Sequence, residues 1–215
     1  LAKNLEKTSS EIRYLGISKA IADFFKSTQN ELNLMVEAQN CERMAKNLSR
    51  IDKDGILVIP KIYREYCGTE VLVMEFLDGR PFNEFNSLES LGPDVVEKLE
   101  RSVELFTHTL LSDGFFHADL HGGNFFVMKD RRIGIIDFGL MGSLSKKNRA
   151  NLIAILYAVI SQNYDNLVYE FLEVADYDAV PNHEELIRDI KDAISPYIGL
   201  SVQETDMTEL VRGLV

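Results

Sequence analysis

Cysteine is scarce in this sequence of 215 residues, basic side chains are outnumbered, and no long apolar run occurs. Each shortage closes off a class of protein. The two cysteines, Cys41 and Cys67, form no C-x-x-C pair and stand at no metal-ligand spacing, which excludes a disulfide framework and a zinc site and makes a reducing compartment the expectation. Lys and Arg number 23 against 34 Asp and Glu, a net charge of -11 at pH 7. Nucleic acid is bound through basic patches on the phosphate backbone, so no nucleic-acid partner is expected. The longest unbroken apolar stretch, Leu152 to Ile160, has nine residues, whereas a membrane-spanning helix needs about twenty. There is no signal-peptide pattern, no repeat and no low-complexity linker. The sequence opens on Leu1 with no initiator Met, which reads as a piece of a longer protein. What is present, 46% apolar and 27% charged residues, is the composition of a soluble globular protein, either one domain or two small lobes sharing a cleft.

The informative stretch runs from Phe115 to Gly142. Asp119 is followed five residues on by Asn124 and thirteen beyond that by Asp137, which opens Asp137-Phe138-Gly139. Phosphoryl transfer uses such spacings. The polyphosphate is neutralised by magnesium, which takes hard oxygen ligands from few protein groups, and an Asn amide oxygen and an Asp carboxylate supply them. In the protein-kinase template the catalytic loop offers an Asp to the acceptor and an Asn to metal, while the Asp of D-F-G serves the other metal site. Phe125 to Met128 and Arg132 to Ile136 read as two short strands around the turn Lys129-Asp130-Arg131, a hairpin that brings Asn124 and Asp137 to one end. Asp119 is thus the candidate catalytic residue, and Asn124 and Asp137 are the candidate magnesium ligands. For His117 and His121 two readings stay open, hydrogen bonding within the loop and proton transfer.

Helical spacing runs from Leu1 to Leu48, with Gly16 separating two helices and Glu31 and Glu37 among the apolar positions. In a kinase-like fold one helical Glu of this region pairs the ATP-binding lysine. Asp52-Lys53-Asp54-Gly55 is a turn before the strand-like Ile56 to Ile59. Thr69 to Leu77 is a β-rich run ended by Asp78-Gly79, the pattern of a hinge, where main-chain groups of Glu75 and Leu77 bond an adenine, with Phe126 as the floor of that pocket. Pro93 and Asp94 start an amphipathic helix that Gly114 stops near Asp113. Ser145 caps a helix through Ile160, Tyr164 to Val174 forms another, Pro181-Asn182 starts one over His183 to Ile194, and the tail Asp206 to Leu214 suits a short last helix.

Four segments together, E-L-N-L-M-V-E-A-Q-N-C-E-R (Glu31 to Arg43), V-L-V-M-E-F-L-D-G (Val71 to Gly79), H-A-D-L-H-G-G-N (His117 to Asn124) and I-D-F-G (Ile136 to Gly139), resemble the UbiB/AarF atypical kinase-like family linked to ubiquinone biosynthesis. The likeness covers about Gln29 to Gly142. It implies that Glu37 pairs the nucleotide-site lysine, with Glu31 the family's other acidic position. The family's loop reads D-P-H-P-G-N. Leu120 and Gly122 stand here in place of its prolines, so the loop loses stiffness but keeps Asp119, His121, Gly123 and Asn124. The family's lysine strand, Ala-rich phosphate loop and K-x-G-Q extension have no counterpart in the sequence.

The resemblance therefore implies an α+β, protein-kinase-like fold, with a partial N-lobe over 1–78 (an αC-like helix and hinge strands) and a mainly helical C-lobe over 79–215. It implies ATP and Mg as cofactors and phosphoryl transfer or ATP hydrolysis in support of polyprenyl quinone synthesis. The expected partners are nucleotide, a lipid-like quinone precursor or membrane surface, and other ubiquinone-biosynthesis proteins. The expected location is cytoplasmic and peripheral at the inner membrane, or the matrix side of a mitochondrion. Two alternatives stand beside it: an aminoglycoside- or choline-kinase-like phosphotransferase, whose H-G-D-L-H-x-x-N pattern Leu120 suits, and a pseudokinase scaffold that binds lipid or protein without turnover.

Overall fold

The computed structural model describes residues 33–174 and 182–194. Glu31, the helix expected before Gly16, Pro181, Pro196 and the expected tail helix lie outside the described residues. Two compact units divide the chain, Leu1–Ser143 and Leu144–Val215.

The first unit begins with helix α1 (Leu34–Ile51), started by Asn33, whose side-chain oxygen accepts from the Met35 N–H at 3.1 Å. Glu37 in its first turn and Arg50 in its last complement the helix dipole. Ala38, Cys41, Met44 and Leu48 recur at three-to-four spacing and are all buried, so one stripe faces the core. After α1 come β1 (Leu57–Val58), β2 (Gly79–Pro81), helix α2 (Pro93–His108), β3 (Phe115–His117), β4 (Phe125–Met128), β5 (Ile133–Ile135) and β6 (Met141–Ser143). Four strands form a sheet in the order β1-β5-β4-β2. The β1–β5 pair is parallel, and the β5–β4 and β4–β2 pairs are antiparallel. β3 and β6 pair antiparallel as a separate ribbon. The core of the unit joins the α1 stripe to Val95 and Leu105 of α2 and to Phe115, Ile133, Ile135 and Phe138. The predicted hairpin is therefore present, between β4 and β5.

One expected strand is not formed as such. Residues 69 and 70 bend, the Thr69 carbonyl accepting from the Leu34 N–H at 3.0 Å, and over 71–77 the β-bridge formed among the described residues is Ile62–Met74, with the Tyr63 N–H on the Val73 carbonyl (2.9 Å) and the Glu75 N–H on the Lys61 carbonyl (2.8 Å). Pairing ends at Cys67, whose sulfur takes the Val73 N–H at 3.3 Å where a strand partner's carbonyl belongs. Phe76 is left 85% exposed.

α2 starts where predicted, but its α-helical part ends at His108, five residues before the expected end near Asp113. Pro93 occupies its first turn, and the chain leaves it by a wide turn over Thr109–Asp113 that ends on Gly114 at φ +62°. The helix starts from Gly92, at φ +84° and ψ 152°, a region open essentially to glycine alone. A Cβ there would also lie 2.7 Å from the Arg131 guanidinium. That guanidinium is held on the Asp94 carboxylate and donates to the Leu91 carbonyl at 2.9 Å, so the β4–β5 turn is latched to the start of α2.

The second unit contains helices α3 (Lys146–Ile160), α4 (Tyr164–Val174) and α5 (His183–Ile194). Ser145 caps α3 by accepting from the Asn148 N–H at 3.1 Å. Ala158, Leu167, Val168, Ile190 and Ile194 make its core. No helix among the described residues is long and apolar enough to cross a membrane.

Gly92→Ala is expected to lower stability by about 1–3 kcal/mol, the range for a side chain forced into this backbone region. Urea denaturation followed by circular dichroism checks it, and an unchanged midpoint contradicts the latch.

Candidate active site

The hairpin builds the centre of the site. With Phe125 opposite Ile135 and the Ile136 N–H donating to the Asn124 carbonyl at 3.0 Å, residues 124 and 137 leave the same end of the β4–β5 ladder. Asn124 is buried, and its Nδ2 donates to the Asp119 carbonyl at 3.0 Å. That bond commits the nitrogen end of the amide, so the oxygen is the end left to bind a cation. The Asn124 N–H returns to the His121 carbonyl at 2.9 Å. Asp119, Asn124 and Asp137 are thus tied together by short main-chain links, as the spacing predicts.

Both histidines serve as acceptors on one ring nitrogen. His121 starts the tight turn Gly122–Asn124, and its Nδ1 accepts from the Gly123 N–H at 3.1 Å. The neutral ring then carries its proton on Nε2, which faces Asp119 Oδ2 at 3.9 Å across an exposed edge. His117 is buried. Its Nδ1 accepts from the Asp119 N–H at 3.2 Å, so Nε2 donates to the Asp137 carbonyl at 2.7 Å. Burial pushes the His117 pKa below its ordinary value of 6.5 against the bond to Asp137. Of its two readings, the hydrogen-bonding one is the one the geometry supports: both nitrogens are spent joining the catalytic loop to Asp137.

Asp137 has a left-handed backbone, φ +66°. Its exposed carboxylate accepts from the Gly139 N–H at 3.4 Å. The next residue, Phe138, is buried and held by α1 at both main-chain groups: its N–H donates to Glu37 Oε1 at 3.3 Å, and its carbonyl accepts from Asn40 Nδ2 at 2.9 Å. Glu37 therefore stands at the D-F-G segment. Burial, and then the negative charge of Asp137, raise its pKa above 4.5, while the Phe138 N–H opposes them. Burial also pushes the neighbouring Cys41 thiol up to about 12, which makes it inert.

Leu77 and Phe126 meet at Gly134 on β5. A Cβ at Gly134 would lie 3.0 Å from Leu77 Cδ1 and 3.4 Å from Phe126 Cβ, with the Met128 sulfur at 2.8 Å, so only a glycine keeps this wall thin. Glu75 is turned away onto Lys61. Its carboxylate accepts from the Lys61 N–H at 3.1 Å, and its own N–H is spent on the Lys61 carbonyl. The Leu77 carbonyl accepts from the Gly79 N–H at 3.0 Å.

The donor set fits magnesium. Asn124 and Asp137 offer one amide oxygen and one carboxylate, and the ion is bound through few protein groups plus phosphates. Among the described residues no group of three or more His, Cys, Asp or Glu forms an all-protein cage. Sequence reasoning missed the grip of Asn40 and the wall glycine at 134. Asn40 carried a signal in its spacing, since three residues past Glu37 is the same helix face.

Two predictions follow from this geometry. Glu37 has a raised pKa, so the folded protein binds its proton more tightly than the unfolded chain, and stability is lost as pH rises above 4.5 through the raised value. Glu37→Gln keeps an acceptor for Phe138 without the charge. It is expected to melt at or above the wild-type temperature at pH 7, with the gap closing as pH falls to 4.5. A variant that melts lower at pH 7 speaks against the burial argument. Gly122 is the first residue of its turn. His121 before it is extended (φ -142°, ψ 163°), and the nearest atoms to a Cβ at 122 lie at 3.9 Å and 4.0 Å. Proline suits such a position and such a predecessor, so Gly122→Pro is expected to add about 0.4–1 kcal/mol of stability in a denaturant titration.

The sequence was compared with known proteins. The model of the ABC1 atypical kinase-like domain matches residues 1–171. A protein of Azotobacter vinelandii described as probable protein kinase UbiB is 34% identical over 167 residues, covering 76% of this chain and 30% of its own length. The chain thus spans about a third of that curated relative. A solved structure of Mycobacterium tuberculosis Rv3197 with erythromycin aligns over 100% of this chain and 55% of its own, at 21% identity and a TM-score of 0.64. At that identity the likeness speaks for the fold, which is kinase-like and mixed in helix and sheet. With most of its length matched by the family model and these motifs assembled at one site, the chain belongs to the UbiB/ABC1 family of atypical kinase-like proteins.

Proposed function

We propose that this chain holds the metal-binding and catalytic side of a magnesium-ATP site that transfers a phosphoryl group or hydrolyses ATP in support of polyprenyl quinone synthesis. The observation that carries the reading is the meeting of Asn124 and Asp137 at one end of the β4–β5 hairpin, with Asp119 hydrogen-bonded to Asn124 through its carbonyl. Asn124 and Asp137 are the residues that would hold magnesium. When bound, the ion supplies positive charge against the polyphosphate.

The chain's own residues do the positioning. The Asp119 carboxylate is exposed beside His121, where it accepts a hydrogen bond from an acceptor hydroxyl or a water and aims its oxygen. Asn124, its nitrogen committed to Asp119, would offer its oxygen to the ion. His117 fixes the separation of Asp119 from Asp137 by bonding both backbones. Leu77 and Phe126 supply an apolar wall for a flat base, and Gly134 leaves room for Leu77 and the Met128 sulfur to pack behind it. Catalysis in such a site comes from orientation and electrostatics, with little covalent work for the protein. The acceptor is a lipid-like phenolic precursor met at a membrane surface, cytoplasmic at the inner membrane or on the mitochondrial matrix side, with other quinone-synthesis proteins as partners. The family match supports the kinase-like role in quinone synthesis from which the acceptor, location and partners are proposed.

Asp137→Asn, tested in the protein with its full coding sequence, is expected to leave the fold intact and to lower magnesium-dependent phosphate release from ATP by about a hundredfold or more, the scale for losing one preorganised electrostatic group. Release measured with and without a phenolic quinone precursor and vesicles separates hydrolysis from transfer. Unchanged magnesium-dependent turnover in this variant overturns the assignment.

A further inference from the structure

We infer that Asn40 is a positioning residue for the Asp137 carboxylate, acting through the main chain of Phe138; the inference rests on the magnesium-ATP reading of the site. Three hydrogen bonds surround the left-handed Asp137. His117 takes the Asp137 carbonyl at 2.7 Å, Glu37 takes the Phe138 N–H at 3.3 Å, and the Asn40 Nδ2 takes the Phe138 carbonyl at 2.9 Å. The first two hold the peptide between Asp137 and Phe138; the third holds the next peptide, whose Gly139 N–H donates to the Asp137 carboxylate at 3.4 Å. With the first plane fixed, Asp137 has lost its freedom on the Phe138 side, and with the second fixed, the N–H that orients its carboxylate is fixed too.

The contribution of Asn40 is distinct from that of Glu37. Glu37 is an acceptor at the Phe138 N–H, while Asn40 is the donor at the carbonyl beyond it, so together they grip one residue from both ends. Both come from one face of α1, three positions apart. Phe138 itself is 1% exposed, and its ring sits 5.7 Å from the His117 ring, so the side chain anchors the same residue whose backbone is gripped. Releasing the carbonyl frees the peptide after Phe138 to rotate, and its Gly139 N–H then swings off the Asp137 carboxylate. A carboxylate that must find its place again binds a cation more weakly. No direct contact between Asn40 and the cation is required.

The test uses Mn²⁺ as the probe, followed by electron paramagnetic resonance, with a non-hydrolysable ATP analogue and the protein with its full coding sequence. Asn40→Ala removes the donor. Asn40→Asp keeps the shape but cannot donate, and it decides the matter if the alanine variant does not fold. Both are expected to weaken Mn²⁺ binding by about ten- to a hundredfold, the scale for a lost outer partner of a metal ligand, while metal-free affinity for the analogue is unchanged. Cys41→Ser, a neighbouring change in the buried stripe of the same helix, serves as the packing control and should lower thermal stability without weakening the metal. Asp137→Asn distinguishes the two levels of the argument. If it leaves Mn²⁺ affinity intact, the magnesium-ATP reading fails. If it abolishes binding while Asn40→Asp binds like wild type, or if Cys41→Ser weakens the metal as much as Asn40→Asp, the role of Asn40 is overturned.

Discussion

The site depends on one residue kept in an unfavourable backbone conformation. Asp137 at φ +66° occupies a region that costs an L-residue about 1–2 kcal/mol, and aspartate is among the few types that visit it. The conformation persists because the surroundings leave it no better choice: β5 delivers the chain, β6 takes it away, His117 and Glu37 bond the peptide group that follows it, and Asn40 bonds the next. A relaxed, extended Asp137 would aim its carboxylate elsewhere. The separation between the catalytic loop and the D-F-G segment, the burial of Phe138 and the placement of α1 all serve this constraint.

α1 is therefore more than a helix with a buried stripe. Along its length it meets the segments that flank the catalytic loop: Glu37 and Asn40 at Phe138, the Arg43 guanidinium 3.9 Å above the Phe115 ring, and Arg50 on Asp113 at the end of the turn that feeds β3. The last two lie partly in solvent and contribute modestly. Their spacing still matters, because four attachments spread over the helix oppose rotation about any single one of them. The carboxylate of Glu37 is held in an uncomfortable position by the same arrangement, next to another carboxylate and partly out of water.

Much of this was legible in the sequence where the signal was local. Lys129-Asp130-Arg131 between two short apolar runs read correctly as a hairpin turn, and the hairpin by itself brings Asn124 to Asp137. Pro93 started α2, Gly114 ended the wide turn that follows it, and Ser145 started α3, because caps and breakers act within a turn of their own position. What was not legible depends on distant partners. Asn40 finds Phe138 from 98 positions away; its spacing places it on the face of Glu37 but does not say which carbonyl it grips. The run 69–77 has strand composition, yet the sulfur of Cys67 takes an amide that the composition assigned to a neighbouring strand. Periodicity cannot foresee which atom fills an edge. Gly134 lies inside an apolar strand, and its reason lies in Leu77 and Met128, which approach from other segments.

The latch between the β4–β5 turn and the start of α2 carries an evolutionary implication. Arg131 itself has a positive φ of +64°, and its guanidinium fills the space where Gly92 lacks a side chain. The two positions share one volume and one carboxylate, that of Asp94, so their substitutions do not add independently. A lineage that loses Arg131 vacates the space beside residue 92, and only the backbone angle then still argues for glycine. A lineage that keeps Arg131 is barred from a side chain at 92 twice over. Glycine at 92 and arginine at 131 should accordingly be inherited together, and chimaeras that exchange one without the other should show epistasis although the residues lie nearly forty positions apart in the chain.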